Sequence, residues 1–233
     1  MIPISDVGVS RHRFPYVNVT LIAINAIVFL YELTLGDRNL FQFYMAYGVV
    51  PIEFTTGRDI PPFGPPEQWM NIFSSMFIHG GWLHFGGNML YLWIFGDNVE
   101  DIFSHLGYLI FYLFSGFVAT LAQVYTDPLS TAPAIGASGA IAGVLGAYLV
   151  LFPKARVNTL LILFYFIRIQ PLPAILVLGF WIVTQIFSGA ASLGAPTGVA
   201  YFAHMGGFAA GVILAIPLRG RANRTQTTRY REE

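Results

Sequence analysis

Ala134-Ile135-Gly136-Ala137-Ser138-Gly139-Ala140-Ile141-Ala142-Gly143 is a glycine-punctuated turn that opens into an apolar helix ending near Phe152. Gly136, Gly139, Gly143 and Gly146 follow at intervals of three, four and three, which puts them on one helical face. Inside a membrane such a face lets a second helix approach to backbone contact. One serine, Ser138, stands in the turn. It reads in two ways: a small residue packed between helices, or a nucleophile at a helix N-terminus, where free amides favour negative charge.

The rest of the chain sets the context. Of 233 residues, 55% are hydrophobic and only 10% charged, against about 25% charged in an average soluble domain. The charges sit mostly at the ends and between long apolar runs, which is the pattern of an all-α, polytopic membrane protein. Zero formal net charge gives no general attraction to nucleic acid, and the absence of cysteine excludes disulfide and thiolate chemistry. The first apolar run is too long for a cleavable signal peptide and lacks a small-residue cleavage site.

Six spans are expected. They are Tyr16 to Leu35, His79 to Phe95, Phe103 to Tyr125, the helix after Gly136, Leu172 to Phe187, and Val199 to Leu218. The sequence thus divides into a polar head (1–15), a six-transmembrane-helix domain (16–218) and a basic, disordered tail (219–233). Gly36 to Ser75 forms a long external first loop, with Leu40 to Tyr47 amphipathic enough to lie in the membrane interface. An acidic turn, Asp97-Asn98-Val99-Glu100-Asp101, follows the second span. Asn158 to Gln170 is apolar but too short to cross, and is read as re-entrant, interfacial, or a kinked extension of the fifth helix. With six spans, ten of the twelve basic residues fall on one side, leaving Arg38 and Arg58 opposite. The positive-inside rule then puts both termini in the cytoplasm of a cell whose inner membrane holds the protein.

This topology brings three polar sets to one depth. The second, fourth and sixth helices run in the same direction, and each begins with an unusual residue: His79, His84 and Asn88; Ser138; and His204. Ionisable groups inside a membrane default to functional sites. Gly139 and Gly143 on the fourth helix face Gly207 and Gly211 on the sixth, which makes contact between Ser138 and His204 plausible. A hydroxyl becomes a strong nucleophile when an adjacent base takes its proton, and histidine can take and return one. No Asp or Glu lies in the second, fourth, fifth or sixth span, so a dyad is expected rather than a triad. His84, Asn88 and the Ser138 N–H are the candidate oxyanion donors. Gly136, Ala137 and His79 stand behind them.

The pattern His79-x4-His84-x3-Asn88, then Gly136-Ala137-Ser138-Gly139, then Ala203-His204-x2-Gly207-x3-Gly211 resembles the rhomboid family of intramembrane serine proteases. The resemblance implies a six-helix core, Ser138 as nucleophile, His204 as base, and transmembrane proteins as substrates within the lipid bilayer. It implies no cofactor. Two departures stand out. The first loop lacks the Trp-Arg pair of some relatives, and Ala142 occupies the position of an aromatic that stacks on the histidine in others. Tyr201, Phe202 or Met205 would then orient His204. The fifth helix, bulky and poor in glycine, is the expected substrate gate, with Phe180 and Trp181 on its inner face and Gly86 and Gly87 letting the second helix sit close.

Rival readings are weaker. A transporter would show paired broken helices or a carboxylate relay. A zinc site using His79, His84 and His204 lacks His-Glu-x-x-His and any completing ligand. A silent rhomboid-like binding protein would be expected to lose the serine or the histidine, and this chain keeps both.

Overall fold

Helix α7 (Ser138–Leu151) is the axis of the molecule: every residue from Gly139 to Tyr148 is buried. Its burial follows from its glycines. In the computed structural model, which describes residues 1–9, 12–58, 60–62, 64, 68–163, 166–193 and 198–222, α9 (Tyr201–Ala215) lies against α7 backbone to backbone. A Cβ at Gly207 would collide with the Gly139 carbonyl, and one at Gly211 with the Gly143 carbonyl. From a third side, Ser115 and Ala119 of α6 (His105–Thr126) close over Gly143 and Gly139. The small-residue faces expected from the sequence are therefore the contact surface of three helices.

Two more helices flank this trio, α1 (Tyr16–Glu32) and α5 (Trp82–Phe103), and α8 (Ala174–Ala191) packs along α9. Among the described residues, three helical stretches are long and apolar enough to cross a bilayer: 105–126, 174–191 and 201–222; α1 and α7 are apolar but shorter. Together with the composition they mark a membrane protein.

The acidic turn expected after the second span is absent, because α5 continues through it to Phe103. Glu100, only 1% exposed, explains why. Its carboxylate accepts the Val17 and Asn18 amides at 3.0 and 2.7 Å, capping the open N-terminus of α1. The chain reverses at Ser104, with φ of 66°, and α6 begins.

The long first loop is folded. It contains α2 (Asp37–Tyr47), α3 (Pro51–Thr56) and α4 (Trp69–Ser74), followed by a 3-10 turn at Ser75–Phe77. It is pinned to the segment before α7. Val49 and Ala134 exchange both backbone hydrogen bonds, at 3.0 and 2.8 Å, and the Gly136 N–H donates to the Ser75 carbonyl at 2.8 Å.

An all-α class does not hold throughout. The described residues of Asn158 to Gln170 are strand rather than a kinked extension of the fifth helix, and the polar head supplies a strand as well. Strands β1 (Ile2–Val7), β2 (Arg156–Leu163) and β3 (Phe166–Pro173) form an antiparallel sheet in the order β1-β2-β3. Proline placement fits: Pro171 and Pro173 lie on edge strand β3, and Pro3 borders a register shift in the other edge strand. Asp6 ties the sheet to the helices, accepting from Asn98 Nδ2 of α5 at 2.7 Å and the Tyr148 hydroxyl of α7 at 3.1 Å. Arg11, residues 63 and 65–67 of the first loop, and the tail from residue 223 lie outside the described residues.

Candidate active site

Ser138 is the first residue of α7, and His204 lies in the first turn of α9. The glycine contact between these helices sets the two side chains against each other. Ser138 Oγ is 2.8 Å from His204 Nε2, a hydrogen bond between a hydroxyl and an imidazole buried to 9% exposure. The first intrahelical bond of α7 runs from the Ile141 N–H to the Ala137 carbonyl. The amides of Ser138, Gly139 and Ala140 therefore stand at the open positive end of the helix dipole.

His84 and Asn88 stand one turn apart near the start of α5 and face the same space. Gly136 explains how His84 comes so close. Its φ is +120°, and a Cβ there would lie 2.6 Å from His84 Nε2. Only glycine meets both demands. The Gly80 N–H donates to His84 Nδ1 at 3.3 Å, so that nitrogen is the acceptor and Nε2 carries the proton. His84 thus presents an N–H donor beside the Gly136 turn. Asn88 is 8% exposed, and its Nδ2 has no hydrogen-bond partner among the described residues. His79 does not reach this space. It precedes α5, is fully buried, and packs its ring edge-to-face on His84 at 5.1 Å. Its backbone N–H donates to both oxygens of Glu32, and Tyr44 donates to its carbonyl.

Ser138, His204, His84 and Asn88 all line one cavity of about 680 Å³, walled by Leu83, Gly87 and Tyr91 of α5 and by Trp181 of α8. The rhomboid domain model matches residues 66–221, which contain all four. The chain belongs to the rhomboid family. It is 29% identical to Rhomboid protein 1, mitochondrial, of Saccharomyces cerevisiae over 83% of this chain and 50% of that protein. It is 35% identical to Rhomboid protease GluP of Bacillus subtilis over 35% of this chain and 16% of that protein. It is 36% identical to RHOMBOID-like protein 5 of Arabidopsis thaliana over 36% of this chain and 26% of that protein. The chain spans half or less of the length of these three relatives.

In this rhomboid the surroundings of His204 differ from expectation. Tyr201, Phe202 and Met205 border Gly189 of α8. The aromatic facing the imidazole is Trp181, at a centroid distance of 5.7 Å and an interplanar angle of 40°. The polar contact is Gln185, whose Oε1 lies 2.7 Å from His204 Nδ1. Both come from α8. Phe180 points the other way and is 56% exposed, because successive helical residues diverge by about 100°. Gly86 and Gly87 mark no helix contact; a Cβ at either would meet nothing within 4 Å, and Gly87 borders the cavity.

Proposed function

We propose that this rhomboid is an intramembrane serine endopeptidase that hydrolyses peptide bonds in or beside the transmembrane segments of membrane proteins. The 2.8 Å contact between Ser138 Oγ and His204 Nε2, at the wall of a cavity, carries the proposal. Ser138 Oγ attacks the scissile carbonyl carbon as His204 Nε2 takes the hydroxyl proton. The carbonyl oxygen becomes an oxyanion within reach of the Ser138 N–H, His84 Nε2–H and Asn88 Nδ2–H. On collapse the C–N bond breaks, and His204 returns its proton to the departing amine. Water then attacks the acyl-serine, giving its proton to His204, and Ser138 is released as the hydroxyl.

The topology belongs to the same proposal. Helices α1, α5, α6, α7, α8 and α9 are the six spans of a domain covering residues 16–218, with head and tail in the cytoplasm. The host membrane is the inner cell membrane. The cavity faces the external side, and substrate enters sideways from lipid between α5 and α8, both of which line it. Bulky apolar faces such as that of α8 pack on lipid as readily as on protein.

The test is purified protein in detergent or lipid with a single-span model substrate. Ser138→Ala and His204→Ala should each abolish cleavage, and the double variant should be no worse, since residues acting as one unit are not additive. A serine-directed fluorophosphonate should label Ser138 in wild type. Activity within tenfold of wild type in both single variants would end the protease proposal.

A further inference from the structure

We propose that Gln185 is a positioning residue that fixes the tautomer of His204, and that Thr184 in turn fixes Gln185. The inference rests on the protease reading and deepens it, replacing a bare dyad with an ordered string of donors and acceptors supplied by α8. The direction of every bond in the string follows from the one before it. The Thr184 hydroxyl donates its single proton to the Trp181 carbonyl at 2.6 Å. Thr184 Oγ1 is then left as an acceptor, and Gln185 Nε2 donates to it at 3.4 Å. With its amide nitrogen turned to Thr184, Gln185 presents Oε1 to His204 Nδ1 at 2.7 Å. An amide oxygen can only accept, so Nδ1 must carry the ring proton. Nε2 is therefore unprotonated and accepts from Ser138 Oγ at 2.8 Å. That is the tautomer a general base needs. The reverse orientation of Gln185 would give Nδ1 a donor, move the ring proton to Nε2, and leave the base unable to accept from the serine.

Gln185 does this without charge. No carboxylate lines the cavity among the described residues. A neutral partner sets the tautomer as well as a carboxylate does, while leaving no anion to desolvate beside the membrane.

Two substitutions separate this role from packing. Gln185→Met keeps length and approximate volume but has no oxygen to accept from Nδ1. Gln185→Glu keeps an acceptor and has no amide to misorient. The readouts are the rate of Ser138 labelling by a fluorophosphonate, kcat and KM for a single-span substrate, and Tm. Gln185→Met should lower labelling and kcat by about tenfold or more, with KM and Tm near wild type; Gln185→Glu should stay within about fivefold. Thr184→Val should cost several-fold in the wild-type background and nothing further in the Gln185→Glu background. Equal rates in Gln185→Met and wild type overturn the proposal. So does an equal loss in the Met and Glu variants, which would assign Gln185 to packing. If Gln185→Met fails to fold, the Thr184→Val comparison decides the question on its own. A wild-type protein that takes up no label at Ser138 defeats the protease reading itself, an outcome distinct from those that defeat Gln185 alone.

Discussion

Gly136 and His84 are fitted to each other: the space that a Cβ on Gly136 would need is held by the His84 ring, with 2.6 Å between that Cβ position and Nε2. The glycine also carries a φ of +120°, which a side chain would strain. Gly136→Ala should therefore push His84 out of place and distort the turn ahead of Ser138. We expect kcat to fall by about 100-fold, in the range seen for loss of an oxyanion donor, while the α7–α9 glycine contact keeps the protein folded. Cleavage kinetics beside circular dichroism would check this, and an active Gly136→Ala would show that the His84–Gly136 approach is unimportant.

His84 and Asn88 should act on the transition state. His84→Ala and Asn88→Ala are each expected to lower kcat by about 10²–10³ with little change in KM. Unchanged kcat in both would make the pair interhelical packing. Gly80 has a part in this as well. Its N–H, by donating to His84 Nδ1, holds the proton on Nε2.

The two aromatics on α8 should differ in their effect. Trp181 walls the cavity and faces His204, whereas Phe180 is 56% exposed on the outer side. Trp181→Ala should change cleavage of a transmembrane substrate by several-fold, faster if entry limits the rate and slower if alignment of the imidazole does. Phe180→Ala should leave it within about twofold. A crosslink between the outer halves of α5 and α8 should slow cleavage; wild-type rates in the crosslinked protein would exclude lateral entry there.

Asp6 should make the sheet pH-sensitive. Burial, reinforced by the neighbouring Asp97 carboxylate, raises its pKa from 3.8 to about 6. The folded state therefore binds a proton more tightly than the unfolded chain does. The stabilisation is complete below about pH 4 and is lost as pH rises through about 6. Asp6→Asn, which mimics the protonated form, should raise Tm relative to wild type at pH 7.5, and the difference should shrink as pH falls and vanish only below about pH 4. A Tm difference independent of pH would show that Asp6 does not titrate in this window.

Much of this architecture was written in the spacing of particular residues. Gly139, Gly143 and Gly146 of α7 and their counterparts on α9 foretold the contact that brings Ser138 to His204, whereas Gly136, expected on the same face, lies ahead of the helix and faces His84. A carboxylate announces a third member by its charge, and Gln185 carries none. Yet Thr184 and Gln185 are the only polar side chains between Leu172 and Phe187, and that signal was available. The sheet was hidden by the apolar content of Leu160 to Phe166, which suits a membrane segment as well as a strand. Its alternation, as in Ile167-Arg168-Ile169-Gln170, was a period of two. Phe180 lies outward because α8 turns only a narrow face to the protein, and Trp181, about 100° round the helix, takes it.

The sheet gives α8 a fixed root. Strand β3 runs into the helix without a loop, the Ala174 N–H is bonded to the Ala155 carbonyl at 2.9 Å, and Ala174, Val177 and Leu178 are buried. Beyond them, Gly189 is the only residue of α8 that is again buried. The helix is thus a cantilever, clamped at the strand end and resting lightly on α9 near its tip. At about 1.5 Å per residue, Gln185 stands about 16 Å out along the arm, and a tilt of about 10° at the clamp would carry it about 3 Å. That exceeds the tolerance of a hydrogen bond. Any deflection wide enough to admit a guest helix at α8 would therefore also take away the grip on the imidazole, and the recoil of the arm would restore it.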